Sequence, residues 1–132
     1  MKDQAIGSEG VVRRVVTEEL SADRWGNRGV HVLSTPALAM LFEQAAIESM
    51  KGVLETGELS VGAELHVRHL APTPVGMEVT VLARLTAVRD RLLEFEVTAS
   101  DTAGAIGAGS HVRAVLDRER FEHGIERKRA DR

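Results

Sequence analysis

Apolar and polar residues alternate with a period of two over much of the second half of the chain. Such alternation is typical of half-buried strands, and the short polar connector at residues 101–104 indicates an antiparallel hairpin. A further strand, with less regular alternation, is predicted over residues 11–19. The four regular segments lie at residues 65–70, 78–85, 94–99 and 111–116.

One long helix is predicted between the first strand and the other four. Ser34 and Thr35 each offer a hydroxyl that can cap it, and Pro36 suits its first turn. We expect the helix to run to about Glu55, with Gly57 near its end. Its apolar residues surround nearly the whole circumference, which predicts a buried helix. The expected fold is therefore α+β, a curved antiparallel sheet of about five strands wrapped around one central helix.

Composition narrows the function classes. The 132 residues include 17 Lys or Arg against 20 Asp or Glu, one Trp, three Phe and no Cys. This composition disfavours a nucleic-acid partner, which needs positive charge and stacking rings, and it excludes cysteine chemistry. We expect no membrane partner and a cytoplasmic location, because no secretory or membrane-spanning apolar segment is present. Residues 1–132 are predicted to form a single domain, with a charged C-terminal tail at residues 118–132.

Glu43 is the most informative candidate for chemistry, because it falls at the centre of an apolar stripe of the predicted helix. A carboxylate in that position must be paired, solvated by a pocket, or raised in pKa. The structural alternative is a Glu at the edge of the stripe that reaches solvent or pairs with an Arg of the sheet. Both interpretations are open at this point. The stripe comprises Pro36, Met40, Ile47, Met50 and Leu54.

His69 and Thr35 are two further candidates, and each has a structural alternative. A neutral imidazole suits acid–base chemistry, but His69 on the apolar face of its strand is also typical of a core or interface histidine. Thr35 is most simply the helix cap, although a hydroxyl there also benefits from the helix dipole. His66 lies three residues before His69, so the two point to opposite faces of the strand and cannot share a metal ion. We expect no metal site and no cofactor.

Three segments, TPALAMLFEQAA, GAELHVRHLAPTPVG and GAGSHVRAVL, resemble the hotdog-fold acyl-CoA thioesterases of the fluoroacetyl-CoA thioesterase family. The resemblance covers roughly residues 35–116. Its most specific features are a Thr eight residues before the helix Glu and the stretch HLAPTPVG. The resemblance implies that the chain hydrolyses an acyl-CoA substrate and forms a homodimer joined at the sheet edges, or a higher homo-oligomer. It places catalytic roles on Thr35, Glu43 and His69, and substrate contacts on Gly62 and Arg113.

The resemblance also implies a mechanism. Backbone N–H groups near Gly62 or the helix start polarise the thioester carbonyl, and Glu43 attacks it or activates water. His69 transfers protons to and from the leaving thiolate, while Thr35 attacks or holds the nucleophile. Thr35 and Glu43 are separated by about 12 Å along one helix, so either Thr35 folds back on a loop or two protomers share the site.

One segment departs from the family pattern. The fluoroacetyl enzyme carries a phenylalanine-rich lid before its catalytic Thr, whereas this chain reads RWGNRGVHVLS and has no Phe before Thr35. The acyl group therefore stays unassigned. The alternative function is a non-catalytic hotdog module that binds acyl-CoA or a related ligand.

Overall fold

A five-stranded antiparallel sheet packs against one long helix in the computed structural model, which describes residues 1–131. The strand order is β1-β3-β4-β5-β2, so β1 and β2 form the two edges. This arrangement confirms the predicted α+β architecture. The elements are β1 (Glu9–Val15), α1 (Thr35–Ser49), β2 (Glu58–His69), β3 (Glu78–Arg89), β4 (Leu92–Asp101), β5 (Gly104–Asp117) and α2 (Arg118–Ala130), with 3₁₀ turns at Glu18–Leu20 and Ala22–Trp25.

The core lies between α1 and the concave face of the sheet. Alternate residues of the central strands point toward the helix, because successive side chains of a strand leave opposite faces. The fully buried strand residues include Val79, Val81, Ala83, Leu85, Leu93 and Val97. The buried helix residues that meet them are Ala37, Leu38, Leu41, Phe42, Ala45 and Ala46.

The first helical turn corrects the predicted cap. Ser34, not Thr35, caps α1, because its Oγ accepts a hydrogen bond from the backbone N–H of Ala37 at 3.1 Å. Thr35 is the first helical residue. The prediction that Thr35 caps the helix is therefore wrong, and its hydroxyl is available for another partner.

The end of α1 also differs from the prediction. The helix stops at Ser49 rather than near Glu55, and the chain then turns through Gly52, which has a φ of +79°. This left-handed conformation suits glycine and interrupts the helical path. Val53, after the turn, is 6% exposed and packs in the core. The apolar pattern continued past the helix end because the turn is itself part of the core.

Strand β2 is longer than predicted, beginning at Glu58 instead of residue 65. Its pairing with β5 shifts between Gly62 and Glu64, which marks a β-bulge. A bulge inserts one extra residue and reverses the alternation on either side of it. The period-two pattern is therefore interrupted at the bulge, and the first half of β2 was not predicted as a strand. Strand β1 is shorter than predicted, because it ends at Val15.

The charged segment after β5 forms a second helix. Asp117 caps α2 by accepting a hydrogen bond from the backbone N–H of Arg120 at 2.9 Å. The helix buries no residue completely. No helix within residues 1–131 has the length and hydropathy needed to cross a membrane.

Candidate active site

Thr35 and His69 form a hydrogen-bonded pair at one end of the molecule. Thr35 Oγ1 lies 2.9 Å from His69 Nδ1, where the first turn of α1 meets the last residue of β2. Both residues line a cavity of about 330 Å³, whose other wall comes from the loop before α1 through Ala22, Asn27 and Val30. A hydroxyl in contact with an imidazole is the geometry in which histidine can act as the base.

Only one of the two ring nitrogens of His69, Nδ1, forms a side-chain hydrogen bond within residues 1–131. Its Nε2 is buried and has no hydrogen-bond partner among residues 1–131. Burial holds the pKa of His69 below its ordinary value of 6.5, because desolvation disfavours the charged form. At neutral pH the ring is therefore neutral. Its Nδ1 can therefore accept the proton of the Thr35 hydroxyl.

Glu43 lies in a second cluster and is paired with an arginine of the sheet. Its Oε2 is 3.2 Å from Arg113 Nη1, and the two side chains are 42% and 5% exposed. The carboxylate is thus open to solvent on one side, although the arginine is buried. This is the ion pair that the structural alternative predicted for Glu43.

The helix stripe around Glu43 is not the most buried one, contrary to the sequence prediction. Met40 and Ile47, on the same stripe, are 36% and 48% exposed. The buried face is centred instead near Leu38, Leu41 and Phe42, each 0% exposed. When apolar residues surround a helix nearly completely, their spacing does not indicate which side of the helix is buried.

Arg113 is held by several partners besides Glu43. Its Nε donates to Ser60 Oγ at 3.2 Å and its Nη2 donates to the Ser60 carbonyl oxygen at 3.2 Å. Its Nη1 lies 3.2 Å from His111 Nε2. Ser60 and His111 were missed by the sequence analysis. The signal that could have found His111 is its position two residues before Arg113, on the same face of β5.

Gly62 lies directly against this cluster. A Cβ atom at Gly62 would approach Glu43 Oε2 to 2.9 Å and His111 Cε1 to 3.3 Å. The absence of a side chain therefore lets the carboxylate lie against the backbone of β2, next to the bulge. Gly62 is also the register partner of Arg113.

The structure thus assembles the predicted residues into two groups rather than one. Thr35 contacts His69, and Glu43 contacts Gly62 and Arg113. The first group lies at the C-terminal end of β2 and the second near its middle, about 20 Å apart along the strand at about 3.3 Å per residue. Along α1, eight residues separate Thr35 from Glu43 by about 12 Å. No straight helix can bring these two side chains together within one chain.

A third cluster of possible ligands lies in the loop before α1. Glu18, Asp23 and His31 place carboxylate or imidazole atoms within 4.8 Å of one another. His31 Nδ1 is 3.0 Å from Glu18 Oε2, and this hydrogen bond raises the pKa of His31 above 6.5. Asp23 Oδ1 accepts the backbone N–H of Gly29 at 2.8 Å. These contacts brace the loop.

Comparison with known proteins assigns the family. A family model described as fluoroacetyl-CoA-specific thioesterase matches residues 16–119. The chain belongs to this family. It is a thioester hydrolase with a hotdog fold. One relative, the fluoroacetyl-CoA thioesterase of Streptantibioticus cattleyicolor, is 40% identical over 97 residues, which cover 74% of this chain and 70% of the relative.

Solved structures agree with this assignment. A variant of the fluoroacetyl-CoA-specific thioesterase superposes with a TM-score of 0.89 at 31% identity, covering 97% of this chain and 99% of that one. A thioesterase superfamily member from Thermus thermophilus gives a TM-score of 0.93 at 28% identity, with 99% and 97% covered. Another variant of the fluoroacetyl-CoA enzyme, solved in complex with acetyl-CoA, gives 0.88 at 31% identity, with 95% and 98% covered.

Gly62→Ala tests whether the backbone at this position makes room for the Glu43 carboxylate. We expect a crystal structure of the variant to show the carboxylate shifted away from residue 62 but still paired with Arg113. The free energy of unfolding should fall by less than about 1 kcal/mol, because the end of a flexible side chain can move aside.

Gly109→Ala is the matched control, since its Cβ would clash with the rigid carbonyl of His66. That variant should lose about 3 kcal/mol or more. Equal losses in urea unfolding would contradict this distinction.

Proposed function

We propose that the enzyme hydrolyses acyl-CoA thioesters as a homodimer with two identical sites. Each site joins Thr35 and His69 of one protomer to Glu43, Gly62 and Arg113 of the other. The observation that carries this proposal is the separation of the two groups along the edge strand β2. A second copy that pairs with β2 in antiparallel orientation can place His69 of one strand beside Gly62 of the other.

The edge of β2 is suited to such pairing. Among residues 1–131, this strand of twelve residues pairs with β5 on one side and with no strand on the other. A long unpaired edge offers a row of N–H and C=O groups to another strand. Exposed apolar side chains on α1, Met40 and Ile47, lie on the same helix stripe as Glu43 and offer further apolar surface to a second copy. Such surface favours association when a partner covers it.

The register of the β2 pair follows from the two faces of the strand. Ser60 and Gly62 face Arg113 and Glu43 on the concave side, as do Leu65, Val67 and His69 beyond the bulge. With the bulge counted as one extra residue, Gly62 lies opposite His69 of the partner subunit when the two-fold axis passes through His66. Directly opposed residues then share a face, as antiparallel pairing requires.

Charge complementarity supports the same register. Glu64 and Arg68 lie on the convex face, on either side of His66. With the axis at His66, each Glu64 is opposite Arg68 of the partner subunit, and Leu65 is opposite Val67 of the partner subunit. Opposed charges stabilise a strand pair, and like charges would oppose it.

The composite site suits acyl transfer. The hydroxyl of Thr35 passes its proton to His69 Nδ1 and attacks the thioester carbonyl carbon. The C–S bond breaks, and the thiolate takes that proton from His69. Water then hydrolyses the acyl-threonine through the same base. The partner's Glu43 carboxylate lies beside the His69 imidazole in this arrangement, because Gly62 of the partner subunit, which contacts that carboxylate, is opposite His69. This third group orients the imidazole and stabilises its positive charge.

A panel of acyl-CoA substrates tests the activity itself. We expect CoA release, followed with a thiol reagent, from short-chain acyl-CoAs. Fluoroacetyl-CoA should be preferred over acetyl-CoA by less than about 10⁴-fold. The chain has no Phe before Thr35, and a small change in the acyl group is worth only about 1–3 kcal/mol in an apolar pocket. Thermal stabilisation by every acyl-CoA without any CoA release would favour the non-catalytic binding module instead.

Glu43→Gln tests the role of the carboxylate. We expect hydrolysis to fall by about 10²–10⁴-fold, because the amide cannot stabilise a charged imidazole. The fold and the dimer should persist, since Glu43 is partly exposed and Gln is nearly isosteric. The measurement pairs a melting curve with a CoA-release rate on one preparation. A variant that melts much lower but keeps its rate per folded molecule would make Glu43 structural.

Subunit complementation tests the shared site. Inactive His69→Ala and Glu43→Gln proteins, unfolded and refolded together in equal amounts, should recover about a quarter of native activity. Half of the resulting dimers are mixed, and each mixed dimer carries one intact site of two. The matched control mixes Thr35→Ala with His69→Ala, which damage the same half of each site and should recover nothing. No recovery in the first mixture would place each site within a single chain.

A further inference from the structure

His111 is the most deeply buried titratable side chain near Glu43 that the proposed mechanism does not use. It lies on β5 and is 1% exposed. Its Nδ1 is 2.8 Å from the carbonyl oxygen of Glu64, and its Nε2 is 3.2 Å from Arg113 Nη1. The ring also stacks on Phe95, with centroids 6.2 Å apart.

These two contacts define the state of the ring. A carbonyl oxygen only accepts hydrogen bonds, so Nδ1 must carry the proton. A guanidinium only donates, so Nε2 must be the unprotonated acceptor. Both contacts are therefore satisfied by a single form of His111, the neutral Nδ1–H tautomer. Protonation would leave two donors facing each other at Nε2.

Arg113 depends on this acceptor for its direction. Its Nη1 carries two hydrogens, of which one bonds Glu43 and the other bonds His111. On its other side, Ser60 accepts from Nε and Nη2. The plane of the guanidinium is thus fixed by two residues, Ser60 on β2 and His111 on β5, and Nη1 consequently faces the carboxylate of Glu43.

We propose that His111 is a positioning residue, which holds Arg113 by accepting a hydrogen bond from Nη1 and so fixes the Glu43 carboxylate in the active site. The inference rests on the proposed function for the role of Glu43. His111 also ties the pair to the β-bulge, because the Glu64 carbonyl belongs to the bulged segment of β2. The bulge, the imidazole, the guanidinium and the carboxylate form one continuous chain of hydrogen bonds.

Two substitutions separate this role from simple packing. The amide of His111→Gln places an oxygen near the position of Nε2, where it can accept from Arg113. The shorter amide of His111→Asn reaches only the position of Nδ1, so it can bond the Glu64 carbonyl but not Arg113. We expect His111→Gln to keep kcat within about threefold of native. His111→Asn should lower kcat about 10- to 100-fold with little change in KM, because the carboxylate loses its position.

Nuclear magnetic resonance supplies a readout that does not depend on turnover. In the native dimer, the imidazole ¹⁵N shifts of His111 should report the neutral Nδ1–H tautomer. The Nη protons of Arg113 should exchange slowly in the native enzyme and in His111→Gln, and rapidly in His111→Asn. A native dimer that hydrolyses no acyl-CoA would refute the proposed function, and these resonances would still decide whether His111 holds Arg113.

Three results would overturn the inference. The first is an Nε2–H tautomer in the native protein, which needs no variant to fold. The second is rapid exchange of the Arg113 Nη protons in the native dimer. The third is a kcat for His111→Asn equal to that of His111→Gln, in dimers of equal stability.

Discussion

The buried guanidinium of Arg113 is the constraint on which the proposed active site depends. Its side chain is 5% exposed, and a charge removed from water is costly unless a counter-charge and hydrogen-bond acceptors surround it. Glu43 supplies the counter-charge, while Ser60 and His111 supply the remaining acceptors. The requirement extends to the backbone, because only a glycine at position 62 leaves room for the carboxylate beside β2. One buried charge thus explains why a helix, two strands and a bulge meet at this place.

The edge strand β2 connects this constraint to the second half of the site. It carries Gly62 near its middle and His69 at its end, and Thr35 of α1 contacts His69. In a single chain the strand keeps the two groups apart. In the proposed dimer the same strand, paired antiparallel with its copy, brings each group against the other. Dimer formation and completion of the site would then be the same event, and a dissociated protomer would hold only half of the machinery.

Much of the fold could be predicted from the sequence, because the relevant forces act locally. Alternation with a period of two identified four strands, and continuous apolar content identified the central helix. The errors occurred where a single residue changes the local geometry. The bulge beside Gly62 reversed the alternation of β2, and Gly52 ended α1 before the apolar pattern stopped. At the helix start, Ser34 and Thr35 are both competent caps, and only the chain path shows that Ser34 takes this position.

Residue types and their spacing were enough to predict the architecture, the family resemblance and the candidate residues Thr35, Glu43 and His69. These predictions follow from periodicity and from residue types at fixed spacings, which can be read directly from the linear sequence. Which of these candidates contact one another is visible only in the folded chain. Thr35 bonds His69, Glu43 bonds Arg113, and His111 and Ser60 join the second group although they lie far from Glu43 in sequence. The reason is that a side chain's burial and hydrogen bonds depend on which groups of the neighbouring strands and helix lie within about 3 Å of it. The local sequence pattern carries no information about those distances.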